Sequence, residues 1–325
     1  MYVTSGRTRV KAWAPAKLNL FLEVLGRRDD GFHELDTLML PIGLWDLLTA
    51  EPTDDGSIQL HAEWAMPSGR IDSPLLTDRG IGQLPDAEQN LVYRAFELVR
   101  KTHCEPRGVS LGAVVRLWKR IPSEAGMGGG SSDAATALML ANRIWNLHLP
   151  FAELAQLAAH LGSDVPFFLY SSSCLCRGRG EIVTPVSSCQ SLFFVIVKPP
   201  LGLSTAKVFQ HTEIPRTPND SGAIINALSN GTVDQVGKRL FNRLQSAAVS
   251  QYESIAQLAR VFKRLDVVSH QMTGSGSCYF GLCRNAKHAR HLAQTLNSKN
   301  LGNAFAVQSA RVPISRRLCE QPGQN

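Results

Sequence analysis

The stretch Pro122-Ser123-Glu124-Ala125-Gly126-Met127-Gly128-Gly129-Gly130-Ser131-Ser132-Asp133-Ala134-Ala135 carries the densest chemical signal in the sequence. Four glycines in five positions remove Cβ atoms, so successive backbone N–H groups can converge on one point. The run behind them predicts a helix from about Ser132 to Trp145, whose first turn offers unpaired N–H groups and a positive dipole end. Such a junction suits phosphate. Ser131 and Ser132 add hydroxyls for phosphate or a metal ion. A plain loop capped by Ser132 or Asp133 is the competing reading, but four glycines directly before a run of good helix formers favour a bound anion. The loop lacks the Gly-Lys-Ser/Thr ending of a P-loop. Counted from Gly126 and Gly128, the third glycine of G-x-G-x-x-G falls on Ser131, which disfavours a dinucleotide-binding dehydrogenase. A second turn, Thr273-Gly274-Ser275-Gly276-Ser277, adds to the site only if it meets the first loop in space.

Three further places hold groups able to do chemistry. Lys17 lies in the apolar segment Ala14-Pro15-Ala16-Lys17-Leu18-Asn19-Leu20. A buried ammonium is costly unless paired, and the alternative is an edge lysine whose head reaches solvent. Asn19, two residues on, shares its face of a strand. Asp164, in Gly162-Ser163-Asp164-Val165-Pro166-Phe167-Phe168, either caps the element that follows or acts as a base. A Lys–Asp pair beside bound phosphate suits phosphorylation of an alcohol: the carboxylate accepts the hydroxyl proton and the ammonium favours the forming alkoxide. Phe32 and His33 follow an Asp-Gly turn; together they can stack on and hydrogen-bond a base, and singly His33 reads as a loop histidine.

These groups need elements to hold them. Val10 to Leu25 and Leu35 to Leu48 read as strands around a turn at Gly26 to Gly31. Asp54-Asp55-Gly56 turns into a further strand at Ser57 to Leu60. Ala65 to Gln89 is punctuated by Pro67, Gly69, Pro74, Gly80, Gly82 and Pro85 and reads as a long surface excursion. A helix over Leu91 to Lys101 and a strand over Val109 to Trp118 lead to the glycine loop. A helix over Phe151 to Leu161 and a short apolar run, Val165 to Tyr170, close the first half. Beyond a boundary near residue 190, Leu192 to Val197 and Ser277 to Cys283 read as strands. Ala223 to Leu228, Val233 to Leu244, Ile255 to Leu265 and Ala286 to Leu296 have helical spacing. The expected domains are residues 1–189 and 190–325, in keeping with a chain longer than one core usually serves.

The 325 residues are 44% hydrophobic and 19% charged, which excludes a disordered chain. Mean hydropathy is −0.08, and no apolar run is long enough to span a bilayer. The net charge is +7, with a pI of about 9.2. It leaves a solvated basic surface, a nucleic acid, a membrane or a phosphorylated metabolite open, and the lack of a basic run weakens the two macromolecular readings. Seven cysteines without a C-x-x-C pair point to free thiols in a reducing compartment. The first eleven residues carry Arg7, Arg9 and Lys11 with no apolar stretch behind them, so no signal peptide is expected.

Pro15-Ala16-Lys17-Leu18-Asn19, Pro122 to Ser132 and Thr273 to Gly276 together resemble the three motifs of the galactokinase–homoserine kinase–mevalonate kinase–phosphomevalonate kinase (GHMP) superfamily, in order and separation. Gly26-Arg27-Arg28-Asp29-Asp30-Gly31-Phe32-His33-Glu34-Leu35 and Gly162 to Phe168 are most similar to the 4-diphosphocytidyl-2-C-methyl-D-erythritol kinase family within it. The resemblance implies an α+β, two-domain GHMP kinase fold with the active site in the cleft between domains. It also implies a cytoplasmic, ATP- and Mg²⁺-dependent enzyme of the non-mevalonate isoprenoid route, acting on a cytidine diphosphate ester and needing neither nucleic acid nor membrane. By motif, Lys17 and Asp164 become the catalytic pair. Pro122, Ala125, Gly126, Met127, Gly128, Gly129, Gly130, Ser131 and Ser132 become the ATP phosphate site, with Asn90 and Lys119 near the adenosine. Asn19, Phe32, His33, Thr205, Phe209, Gly274, Ser275 and Gly276 become substrate contacts, with the cytosine between Phe32 and Phe209. Phe32 stands where tyrosine is common. Glu124 puts an acid in the phosphate loop, where it repels phosphate unless turned outward. The Ala65 to Gln89 excursion carries no transferable adenine contacts. Another GHMP small-molecule kinase and a non-catalytic metabolite-binding homologue are the alternatives; intact Lys17 and Asp164 argue against the second.

Overall fold

The structure, a computed structural model, describes residues 3–5, 9–65, 83–170 and 172–310. Most of the expected excursion, 66–82, therefore lies outside the described residues. In chain order the first part comprises β1 (Val3–Ser5), β2 (Val10–Arg27), β3 (His33–Thr53), β4 (Ile58–Trp64), α1 (Leu91–Val99), β5 (Gly112–Lys119), α2 (Gly129–Ile144), α3 (Phe151–Leu161), α4 (Val165–Tyr170), β6 (Cys174–Gly178) and β7 (Ile182–Pro185). There follow β8 (Phe193–Lys198), α5 (Thr205–Gln210), α6 (Gly222–Asn230), α7 (Val233–Gly237), β9 (Phe241–Asn242), α8 (Leu244–Gln251), α9 (Glu253–Phe262), β10 (Ser269–Met272), β11 (Tyr279–Cys283), α10 (Ala286–Asn297) and β12 (Asn303–Gln308).

Two sheets organise these elements. The larger runs β1-β2-β3-β5-β4, with β6 added beside β3, β7 beside β6 and β9 beside β2; the smaller runs β10-β11-β8-β12. Strands before residue 190 build the first sheet and, β9 apart, those after it build the second. The long β2–β3 hairpin turns at residues 28–31, where the Asp-Gly dipeptide predicts it. Its register shifts between Pro15 and Ala16. Such an irregularity re-aims a strand's side chains. Ala12 and Ala14 accordingly enter the core shared with α1 and α2, whereas Ala16, Leu18 and Leu20 enter a second core. Lys17 and Asn19, at the intervening positions, are thereby left on the face that borders the cleft.

That second core joins the two sheets. It packs Leu18, Leu20 and Ile42 of the first sheet against Phe194, Ile196, Phe280 and Leu282 of the second. A third core fills the other face of the small sheet with Leu244, Leu258, Phe262 and Leu292. α2 is buried nearly all round; Ala134, Ala135, Ala137 and Ala141 supply the small surfaces that let it sit between α1, α4 and the sheet.

A buried ion pair ties the parts further. Glu23 on β2 is fully buried and receives Arg243 Nε at 2.7 Å and Nη2 at 2.8 Å, along with the backbone and side-chain N–H of Asn219. Burial pushes the Glu23 carboxyl up, but Arg243 and the backbone donors outweigh it and hold it below its ordinary value. Glu23→Gln is expected to destabilise the fold by about 3 kcal/mol, because it leaves Arg243 without its counter-charge. Since the folded value is the lower one, the contribution is complete above the ordinary carboxylate range and is lost as pH falls through the folded value. Chemical denaturation of both proteins at pH 7 and pH 3 should show the gap narrowing at pH 3.

The structure departs from periodicity in identifiable places. The helix read over Val233 to Leu244 is broken: α7 stops at Gly237, β9 pairs in parallel with β2, and α8 starts afresh. Tertiary bonds override the local pattern here, since Asn242 donates to the carbonyls of Met272 and Gly274 and its Oδ1 accepts from the Leu244 N–H. The apolar run Val165 to Tyr170 forms α4. The short β6, β7, β10 and β12, and helices α5 and α8, have no clear signal in the sequence pattern.

Candidate active site

Between the sheets lies a cleft of about 1240 Å³, larger than the roughly 300–1,000 Å³ of a pocket for one small ligand. Lys17 and Asn19 lie on one wall. The Lys17 side chain is 4% exposed, and its ammonium sits 3.4 Å from Asp164 Oδ2 and donates to Asn19 Oδ1 at 2.6 Å. The desolvated charge is thus met by one carboxylate and one amide oxygen. Asn19 is itself fixed, donating through Nδ2 to Thr37 Oγ1 at 2.9 Å, which in turn donates to the Phe21 carbonyl at 2.7 Å. Asp164 occupies the turn just before α4 and is partly exposed to the cleft. Its carboxylate faces Lys17 rather than serving as a helix cap.

The glycine loop ends on Gly128, whose φ of +68° makes it the left-handed N-cap of α2. α2 starts at Gly129, three residues earlier than the alanine run suggests. The first intrahelical bond is from Ser132 N–H to the Gly128 carbonyl, 2.9 Å, so the N–H groups of Gly129, Gly130 and Ser131 have no acceptor within the helix. A Cβ at Gly128 would lie 2.8 Å from the Phe168 ring and 3.2 Å from Lys17 Cγ, so absence of a side chain lets the loop pack against the Lys17 stem.

The two glycine turns do meet. The N–H groups of Ser277 and Cys278 donate to the carbonyls of Glu124 and Ala125, and Thr273 Oγ1 donates to the Gly126 carbonyl at 3.3 Å. The Lys17 N–H donates to the Met127 carbonyl at 3.0 Å. A Cβ at Gly126 would collide with the Thr273 carbonyl oxygen. Glu124, the acid in the loop, is exposed on the cleft wall and its carboxylate lies against Gly202.

At the other end of the cleft stand three aromatic groups. Phe32 is 48% exposed, a large apolar surface left to solvent. His33 stacks on Phe209 with ring centroids 4.9 Å apart. Burial, and secondarily Arg27, hold the His33 imidazole below its ordinary value, so at pH 7 it is neutral and offers one donor and one acceptor. Thr205 and Ser275 share a hydrogen bond of 2.9 Å between their hydroxyls, which joins α5 to the second glycine turn.

Of the residues singled out by sequence, Pro122, Ala125, Ser131, Gly274, Gly276 and Asn90 also line the cleft, whereas Met127 and Ser132 do not. The Met127 side chain is buried in the core between the sheets, and Ser132 is wholly buried at the head of α2. Asn90 caps α1, its Oδ1 accepting from Val92 N–H at 3.0 Å. Lys119 reaches the cleft wall from β5, but its ammonium is held between Asp133 Oδ2, at 2.6 Å, and Asp46 Oδ2. Burial alone lowers the Lys119 value; Asp133 and Asp46 outweigh it and raise it. Asp133 is pushed well above the carboxylate range by burial, supported by Asp46 and opposed by Lys119. Asp46 also accepts the backbone N–H groups of Arg120 and Ile121, so the cluster fixes the chain just ahead of the glycine loop. Sequence reasoning gave Asp46 no role. The available signal was an acid inside the apolar run Leu44-Trp45-Asp46-Leu47-Leu48, the same oddity that marks Lys17. Burial pushes the thiols of Cys174, Cys278 and Cys283 up to about 12, which removes them as nucleophiles. Among the described residues no group of three or more His, Cys, Asp or Glu could hold a metal ion, and no helix is long and apolar enough to cross a membrane.

Comparison with known proteins agrees with this geometry. Residues 90–172 match the family model for the GHMP kinase N-terminal domain, and 224–301 match that for the C-terminal domain. A 4-diphosphocytidyl-2-C-methyl-D-erythritol kinase from Pelotomaculum thermopropionicum is 39% identical over 87% of this chain and 92% of its own. One from Shouchella clausii is 34% identical over 96% and 97%. A crystal structure of a 4-(cytidine 5'-diphospho)-2C-methyl-D-erythritol kinase superposes with a TM-score of 0.72 at 32% identity, covering 92% of this chain and 99% of its own. Homoserine kinase from Cytophaga hutchinsonii, with a TM-score of 0.69 at 16% identity over 95% and 97%, shares the fold. By sequence, fold and motif order, the chain belongs to the 4-diphosphocytidyl-2-C-methyl-D-erythritol kinase family of GHMP kinases.

Proposed function

We propose that this protein transfers the γ-phosphoryl group of ATP to the 2-hydroxyl of 4-diphosphocytidyl-2-C-methyl-D-erythritol. One observation carries the reading: a Lys–Asp pair, a helix head rich in free N–H groups and a set of three rings, Phe32, His33 and Phe209, open into one cleft with room for two ligands. The glycine loop takes the ATP phosphates on the N–H groups of Gly129, Gly130 and Ser131, aided by the dipole of α2. Phe32, His33 and Phe209 take the cytosine. The erythritol hydroxyl then lies between Asp164 and the phosphate loop. Asp164 accepts its proton, Lys17 stabilises the negative charge on the attacking oxygen, and Asn19 holds Lys17 in place. In-line transfer follows from positioning and electrostatics.

Mg²⁺ fits the head of α2. Ser132 Oγ and Asp133 Oδ1 are buried oxygens without a hydrogen-bond partner there, and Mg²⁺ takes oxygen donors, keeping most positions for phosphate and water. Asp133 and Ser131, which line the cleft, are the residues that would hold it, with Ser132 buried behind them. The ion supplies neutralisation of phosphate charge. Six free cysteines among the described residues support a reducing compartment, and we place the enzyme in the cytoplasm.

Incubation of the purified protein with ATP, Mg²⁺ and the cytidine diphosphate ester should give ADP and phosphorylated ester in equal amounts; turnover of mevalonate or homoserine in its place would overturn the substrate assignment. Gly128→Ala tests the phosphate loop. It forces a Cβ into a left-handed position against Phe168, which should lower stability by about 1–3 kcal/mol. It should also weaken nucleotide binding about tenfold by displacing the loop, about 1.4 kcal/mol in binding energy. Thermal denaturation and nucleotide titration measure the two effects.

A further inference from the structure

Arg179 stands in the turn between β6 and β7, half-buried on the cleft wall. Its guanidinium lies over the Phe32 ring, 4.7 Å from the centroid. The same turn closes on the other end of the site: a Cβ at Gly180 would be 3.6 Å from Asp164 Oδ1 and 3.3 Å from the Ser163 carbonyl oxygen. One side chain and its neighbour thus bridge the distance from the exposed rings to the transfer centre.

The pairing of the charged groups around Arg179 also matters. Lys17 and Lys119, the lysines on the cleft wall, are occupied by Asp164 and by the Asp46–Asp133 pair. Among the described residues no carboxylate lies within ion-pair distance of Arg179, although Asp30, bonded to Arg28, feels the Arg179 charge; Arg27, the other arginine on the cleft wall, also has no ion-pair partner but does not lie over the Phe32 ring. The backbone around Arg179 is secured without its side chain. Its N–H donates to Glu181 Oε2 at 2.6 Å, Gly178 N–H to Glu34 Oε1 at 3.1 Å, and Gly180 N–H to the Arg177 carbonyl at 3.0 Å. A cation is therefore held over the Phe32 ring on the cleft wall, with its hydrogen-bonding fork unused.

An acceptor whose base rests on Phe32 and whose hydroxyl reaches Asp164 must pass its linker across this guanidinium. We infer that Arg179 binds the diphosphate of the acceptor and thereby selects a diphosphate-bridged nucleoside ester over the bare nucleoside; the inference rests on the acceptor class proposed above. The planar fork suits paired phosphate oxygens, and a lysine offers only a point charge in that position.

The test compares wild type with Arg179→Ala and Arg179→Lys. Wild type should bind CDP more tightly than cytidine by calorimetry. In Arg179→Ala the CDP advantage should fall about 10- to 100-fold, the range of a charged hydrogen-bonded contact. Cytidine binding and KM for ATP should stay within twofold, and KM for the ester should rise by the same factor as CDP binding weakens. Arg179→Lys should recover part of the CDP advantage. An unchanged CDP advantage in Arg179→Ala overturns the inference; so does an equal loss for cytidine and CDP, which would make Arg179 a base-stacking group. If wild type fails to phosphorylate the ester, the proposed function fails, yet the comparison of CDP with cytidine still decides the role of Arg179.

Discussion

Asp164→Asn is expected to lower kcat by about 100- to 10,000-fold, the usual contribution of a positioned general base, with nucleotide binding nearly unchanged. The substitution keeps the shape of the side chain and removes both its basicity and its charge. Two consequences combine at the attacking oxygen. The hydroxyl proton loses its acceptor, and the Lys17 ammonium, nearly buried, loses the carboxylate 3.4 Å away. Nucleotide affinity is spared because the proposed phosphate site is backbone of the glycine loop, whose carbonyls accept N–H groups of β2 and the second glycine turn. Single-turnover phosphotransfer measures the first quantity and nucleotide titration the second. A fall of less than tenfold would remove Asp164 from the role of base.

The second large effect is structural. Lys119→Met is expected to destabilise the protein by about 3–5 kcal/mol, the cost of breaking a buried ion pair from one side. Removal of the ammonium leaves two buried carboxyl groups, Asp46 and Asp133, without the cation between them. A carboxyl so placed has a folded value raised above the unfolded one. Its contribution to stability is then fully present below the unfolded value and lost as pH rises through the folded value. The deficit of Lys119→Met should accordingly be smaller at pH 5 than at pH 8 in chemical denaturation. A deficit independent of pH would mean that the two carboxylates do not sense each other. Because Asp46 also anchors the N–H groups of Arg120 and Ile121, the same variant should lose nucleotide affinity as the approach to the glycine loop slackens.

Much of this site is legible in sequence because its parts are local oddities. A lysine in an apolar strand, four glycines before a helix and an aromatic-histidine pair after a turn each contradict their surroundings, and the structure places all three on one cleft. Legibility stops where a partner is distant in the chain. Asp46 meets Lys119 across 73 positions and Glu23 meets Arg243 across 220, and no spacing rule reports such pairs. The break between α7 and α8 is hidden for the same reason: Asn242 is committed to carbonyls thirty or more residues ahead, while the local pattern still reads as helix. Arg179 was illegible for another reason. Among so many basic residues nothing in the sequence marks the one whose guanidinium lies over the Phe32 ring.

The bonding of residues 273–278 to the glycine loop has a consequence for the timing of biogenesis. Gly126 and Thr273 are 147 positions apart, and Asn19 and Thr273 are 254 apart. A nascent chain can carry Lys17, the glycines and Asp164 long before the second turn exists. Until that turn docks, the carbonyls of Glu124 and Ala125 lack their backbone donors from Ser277 and Cys278, and the Lys17 N–H bond to the Met127 carbonyl holds the loop on its other side. Closure over such separations is entropically slow. The full set of bonds that shapes the glycine loop therefore needs chain from both ends of the sequence.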